Sequence, residues 1–309
     1  MDKLIINRTL PISGVVSISG AKNAVLPMIC ASVMVSNDSV RIKNVPHLHD
    51  VTTTLRLLTQ MGVTTTMDEE MSISLDSSTI TNSFAPYDLV KTMRASILVL
   101  GPLLTKFGEA KVSLPGGCAI GTRPVGLHID ALEKMGASIE IENGYISAKC
   151  DKLIGACIDF PKTTVTGTEN ILMASTLAKG KTIIKNAAME PEVVDLANFL
   201  IKMGARISGH GTNTIEIEGV DNLQGVSYSA LPDRIETGTF LVAAAITGGK
   251  ITVKKAISSH LEAVLKKLQE SGAEITFTDN EISLDMNGKR PRAIDINTGP
   301  YPQFPTDMQ

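Results

Sequence analysis

Four times in this chain a helical pattern runs out at a glycine: Leu57-Leu-Thr-Gln-Met-Gly62, Leu132-Glu-Lys-Met-Gly136, Leu200-Ile-Lys-Met-Gly204 and Leu268-Gln-Glu-Ser-Gly272. The glycines stand 74, 68 and 68 residues apart. Self-similarity at a long period marks a repeated supersecondary unit. A glycine just past a helix suits the left-handed conformation that residues with a Cβ avoid. Alternating segments follow these glycines at 138–141, 206–208, 215–217 and 274–277, as half-buried strands do. Ahead of each helix lies a strand pattern, at 40–44, 111–114, 182–186 and 251–254. An earlier helical run precedes each strand, at 24–35, 90–104, 169–178 and 234–246. The unit is helix, strand, helix, hairpin, or βαβαββ once the preceding strand is counted. Such a unit cannot cover its own sheet face and must pack on others.

The end of the chain extends the pattern. Residues 297–309 match the entry into the preceding unit's first helix, Ser229-Ala-Leu-Pro-Asp-Arg-Ile-Glu-Thr-Gly, so a fifth unit is expected to begin where the sequence stops. With 309 residues there is material for more than one domain. A net charge of −3 and 20% charged residues give no reason to expect nucleic acid or an anionic membrane as partner. Only 4% of residues are aromatic and none is Trp, so the core must rest on aliphatic side chains. The four cysteines, Cys30, Cys118, Cys150 and Cys157, form no CxxC pair and no zinc spacing. With no secretory leader pattern they read as free thiols of a cytoplasmic protein.

The chemistry-bearing stretch is Leu114-Pro-Gly-Gly-Cys118-Ala-Ile-Gly-Thr-Arg123-Pro124. Three glycines and two prolines surround one thiol between a strand pattern and an amphipathic run at 127–135, a setting in which loops display reactive groups. Arg123 is placed to favour the thiolate or to bind an anion beside it; a structural cysteine in an ordinary turn is the alternative. In Ser17-Ile-Ser-Gly-Ala-Lys22-Asn23 a lysine and an asparagine stand at a helix start, either an anion site or a cap with a solvated lysine. Lys91 and Arg94 share a helical face, and Asp307 follows a proline turn where Asp is a common N-cap. The five histidines form no HxxxH or triad pattern and are expected to be surface or core residues.

Together with Leu231-Pro-Asp-Arg-Ile-Glu-Thr-Gly-Thr-Phe240, these segments occur in an order that resembles the UDP-N-acetylglucosamine 1-carboxyvinyltransferase (enolpyruvyl transferase) family from end to end. The resemblance implies an α/β fold, the inside-out α/β barrel of enolpyruvyl transferases, with two domains of three βαβαββ units each and the active site in the cleft between them. It implies a complete domain at 21–230 and a partial second domain from 1–20 and 231–309. The implied reaction transfers the enolpyruvyl group of phosphoenolpyruvate to the 3′-hydroxyl of UDP-N-acetylglucosamine with release of phosphate, the first committed step of peptidoglycan synthesis. No metal or organic cofactor is implied.

By the same resemblance Cys118 donates a proton to C3 and is the target of the epoxide fosfomycin, and Asp307 deprotonates the 3′-hydroxyl. Lys22 and Arg123 hold the phosphate and carboxylate of phosphoenolpyruvate. Asn23 and Arg94 contact the sugar nucleotide or its anionic groups. Arg123, Pro124, Val125, Gly126 and Leu127 form the uridine-binding segment, in which Gly126 stands where many members carry Asp. Two other readings stand beside this one: an inactive fragment that keeps sugar-nucleotide binding, and the related 5-enolpyruvylshikimate-3-phosphate synthase, which lacks the cysteine loop.

Overall fold

The structure, a computed structural model, describes residues 3, 5, 7, 9–85, 94–114 and 125–308, the side chains of residues 94 and 95 excepted. Its strands are β1 (Ser13–Ser17), β2 (Ser39–Lys43), β3 (Thr64–Met67), β4 (Ile73–Asp76), β5 (Phe84–Ala85), β6 (Glu109–Ser113), β7 (Ser138–Glu142) and β8 (Tyr145–Lys149). They continue with β9 (Cys157–Asp159), β10 (Lys181–Lys185), β11 (Arg206–Ser208), β12 (Thr214–Glu218), β13 (Ser227–Ser229), β14 (Lys250–Lys254), β15 (Glu274–Phe277) and β16 (Glu281–Asp285). The helices are α1 (Lys22–Ala31), α2 (His49–Gln60), α3 (Leu100–Phe107), α4 (Gly126–Lys134), α5 (Val165–Ser175), α6 (Pro191–Lys202), α7 (Arg234–Thr247) and α8 (Glu262–Glu270).

The four glycines end four helices in one way. Gly62, Gly136, Gly204 and Gly272 have φ of +103°, +95°, +104° and +107°. Each glycine N–H bonds the carbonyl three residues back, and the next residue's N–H reaches five residues back: Val63 to Leu58, Ala137 to Leu132, Ala205 to Leu200 and Ala273 to Leu268, at 3.0–3.1 Å. This is the Schellman arrangement, which satisfies the orphan carbonyls of the last turn and turns the chain into the hairpin.

Four sheets of four strands follow from the repeat, in the orders β5-β6-β8-β7, β9-β10-β12-β11, β13-β2-β4-β3 and β1-β14-β16-β15. In each, the first two strands are parallel and the last two are an antiparallel hairpin; in the first two sheets the parallel pair is joined directly through a helix. Two modules exchange their first strands. β1 precedes α1 in sequence but pairs in parallel with β14, while β13 pairs with β2. The exchange divides the chain into two compact units, residues 20–231 and residues 1–19 with 232–309. In the larger unit, Ala21 N–H bonds Leu231 C=O at 2.8 Å where its two ends meet. In the smaller, Asp233 N–H bonds Ser19 C=O at 2.9 Å.

One expected helix is interrupted. The run read as helical over 90–104 is, among the described residues, a 3-10 turn over Arg94–Val99 that passes into α3. Pro102 lies in the first turn of α3, where its missing N–H costs nothing, and cannot sit further inside a continuous helix without losing a ladder bond.

The glycine stops differ in surroundings. A Cβ on Gly204 meets nothing within 4 Å, whereas on Gly62 it lies 2.7 Å from the Thr79 carbonyl. Gly204→Ala is expected to cost about 1–2 kcal/mol from backbone strain alone, and Gly62→Ala clearly more. Urea unfolding midpoints of the two variants check the order.

Candidate active site

α1, the 3-10 turn with α3, and α5 are the first helices of the three modules of the larger unit, and they pack on one another. Their C-terminal ends open together on one cavity of about 1220 Å³, lined by Met34, Phe107 and Leu177. The three helices therefore end together, and their N-terminal ends are headed by Lys22, Arg94 and Val165. A helix N-terminus carries about half a positive charge and unsatisfied N–H groups. At α5 the Thr164 hydroxyl accepts the Gly167 N–H at 3.2 Å, whereas α1 has no side-chain cap and its end is the more open to an anion.

Lys22 opens α1, whose N-cap, Ala21, offers no side-chain oxygen. Its ammonium is paired with Asp50, in the first turn of α2, at 3.1 Å, both side chains about one-third exposed. Sequence reading missed this partner, and an incoming anion has to compete with it. A pair this exposed is worth about 0–1 kcal/mol, so exchange is inexpensive. Asn23 is exposed beside Lys22. Val125 is the N-cap of α4, and Gly126 and Leu127 form its first turn, again with no side-chain cap. A Cβ on Gly126 meets nothing within 4 Å among the described residues.

Asp307 belongs to the smaller unit. It is exposed on a 3-10 turn, Thr306–Met308, anchored by buried Phe304 on one side and by Met308 against Gly238 of α7 on the other. Cys118, Arg123 and Pro124 lie outside the described residues, as does the Arg94 side chain.

Residues 6–309 match the profile of the family described as EPSP synthase (3-phosphoshikimate 1-carboxyvinyltransferase). A UDP-N-acetylglucosamine 1-carboxyvinyltransferase from Hydrogenovibrio crunogenus is 58% identical over 309 residues, covering 100% of this chain and 74% of that protein. This chain belongs to the enolpyruvyl transferase family. Solved structures agree on the fold. The enolpyruvyl transferase NikO from Streptomyces tendae superposes with a TM-score of 0.79 at 20% identity, over 91% of this chain and 67% of that one. An EPSP synthase from Acinetobacter baumannii gives 0.70 at 19% identity, over 89% and 65%.

The larger unit of this enolpyruvyl transferase also carries ionisable groups that sequence reading did not single out. His128 on α4 is buried, and burial pushes its pKa down to about 4, so the ring is neutral. Glu169 on α5 is fully buried; burial first, then the nearby Glu192 and Glu190 carboxylates, hold it well above the usual carboxylate range. Its Oε1 has no hydrogen-bond partner among the described residues. Asp195 on α6 is raised chiefly by burial, and it accepts from the Tyr228 hydroxyl at 2.6 Å and the Leu231 N–H at 3.0 Å. That pair of bonds ties α6 to the returning chain. The thiol of Cys30 is buried and pushed far up; Cys150 is half-buried and also raised, chiefly by burial; Cys157 is exposed on β9.

A carboxyl whose pKa is raised by folding adds its full stability below its unfolded value and loses it as pH rises towards the folded value. Relative to the native chain, Glu169→Gln is therefore expected to be more stable at pH 7, the gain shrinking towards pH 4. Unfolding free energies of the two proteins at pH 4, 5.5 and 7 check it.

Proposed function

We propose that this chain, at the length of its Hydrogenovibrio relative, transfers the enolpyruvyl group of phosphoenolpyruvate to the 3′-hydroxyl of UDP-N-acetylglucosamine, the first committed step of peptidoglycan synthesis in the cytoplasm. The observation that carries the reading is the 58% identity across the whole chain to a protein of that name. The 3′-oxygen bonds to C2 of phosphoenolpyruvate while C3 takes a proton, giving a tetrahedral adduct. The adduct then loses phosphate from C2 and a proton from C3, leaving the enol ether.

In this reading Lys22 gives up Asp50 for an oxygen of phosphoenolpyruvate, close to helix N-termini that already favour the anion. Arg123 is assigned the second anionic contact, Asn23 and Arg94 the sugar nucleotide, and 123–127 the uridine. Asp307 is exposed, as a base that must meet a substrate hydroxyl has to be. Cys118 is the proposed acid for C3. Domain roles follow the two units: residues 20–231 bind the nucleotide and hold the cysteine loop, and the smaller unit supplies Asp307.

The experiment is phosphate release from phosphoenolpyruvate with UDP-N-acetylglucosamine. Lys22→Ala is expected to weaken phosphoenolpyruvate binding, since a hydrogen bond to a charged group contributes about 1.5–3 kcal/mol. Asp307→Ala is expected to lower turnover with binding little changed. Equal loss of binding in both would remove Asp307 from the chemistry. Fosfomycin with UDP-N-acetylglucosamine present is expected to label Cys118; preferential labelling of exposed Cys157 would defeat that assignment.

A further inference from the structure

In an unbroken α-helix the Ile97 carbonyl would receive the Gly101 N–H. Here the carboxamide of Asn170, wholly buried on α5, takes a bond at each end of that step. Its Oδ1 accepts from Gly101 N–H at 2.8 Å, and its Nδ2 donates to Ile97 C=O at 3.0 Å. A side chain inserted into the ladder in this way accounts for the change from 3-10 turn to α-helix between Val99 and Leu100. The fit is close: a Cβ on Gly101 would stand 2.4 Å from Asn170 Oδ1.

The same two bonds settle the orientation of the amide, because a backbone N–H only donates and a carbonyl only accepts. Nδ2 therefore also faces the Nδ1 of His128, at 3.1 Å. That nitrogen must accept, so the ring proton sits on Nε2, 3.4 Å from Thr166 Oγ1. One side chain on α5 thus holds the backbone turn that Arg94 opens and the first turns of α4, which present Val125, Gly126 and Leu127.

We infer that Asn170 is a positioning residue for anion and nucleotide binding: its carboxamide joins the Ile97–Gly101 break to His128 and so fixes where the Arg94 turn and the α4 N-terminus stand relative to each other. The inference rests on the proposed function in one respect, that these two segments meet the sugar nucleotide. Without the amide, Ile97 and Gly101 can close their own helical bond, which rewinds the turn from Arg94, and His128 loses its donor.

Two variants test it, Asn170→Leu, of similar volume, and Gly101→Ala, which pushes the amide away from the opposite side. Two readouts are needed. Histidine ¹⁵N shifts, with His128 assigned by its loss in His128→Gln, are expected to show a neutral ring protonated on Nε2 in the native chain at pH 6.5–8. In both variants they are expected to show a mixture of tautomers. Calorimetric titration with UDP-N-acetylglucosamine is expected to show at least tenfold weaker binding in each variant that still unfolds cooperatively. A folded variant that binds within twofold of the native chain, or that keeps His128 wholly on Nε2, overturns the inference. Failure of the native chain to bind the nucleotide counts against the substrate reading instead, and the nitrogen shifts then decide the junction alone. Should Asn170→Leu not fold, Gly101→Ala gives the same two readings.

Discussion

The first helix of each module has no polar side. In α1 every residue from Ala24 to Ala31 is buried, and in α5 every residue from Gly167 to Ser175. Such a helix is stable only when enclosed on all sides, and full burial of each large aliphatic side chain contributes about 1.5–3 kcal/mol. In the larger unit the enclosure is mutual: three first helices pack together and the sheets cover them with faces that alternate buried and exposed, as in Ser39–Lys43 and Lys181–Lys185. In the smaller unit there is one module. There α7 has the same apolar composition, yet Ile246 is 70% exposed and Phe240 and Val242 are only half-buried.

Enclosure on all sides leaves only helix ends for chemistry. Lys22 and Asn23 stand at the N-terminus of α1, Arg94 begins its turn, and α4 brings its own uncapped first turn. Among the polar groups that enter the core are three on α4 and α5, Asn170, His128 and Glu169. Asn170 is satisfied three times over, His128 is neutral, and Glu169, its carboxyl held well above the usual range chiefly by burial, has no partner on Oε1 among the described residues. A satisfied buried network specifies one arrangement, while an unsatisfied buried group costs stability. Asn170 and Glu169 are neighbours in sequence that illustrate the two cases.

Much of this was legible in the sequence because it is periodic and local. The glycine after each second helix, the hairpins and the order of elements follow from backbone requirements that a few residues announce. What was not legible depends on partners distant in the chain. Nothing near Ser13–Ser17 says that β1 pairs with β14 rather than with β2, since both exchanged strands are short and mostly exposed. The break at Arg94–Val99 is set by Asn170, more than 70 residues away, and the pairing of Lys22 by Asp50 on another helix. Asp50 carried one faint signal, an acid in a helix first turn, which usually means no more than a favourable dipole contact. The cysteine loop, read from its glycines and prolines, lies outside the described residues, so its part in the account comes from sequence.

The account turns on which acceptor the unit of residues 20–231 recognises. The most direct measurement is calorimetric titration of the chain with UDP-N-acetylglucosamine and, separately, with shikimate 3-phosphate, the acceptor of the enzyme whose name the family profile carries. The account predicts saturable binding of the sugar nucleotide and none of shikimate 3-phosphate. Saturable binding of shikimate 3-phosphate with no response to the sugar nucleotide would contradict it.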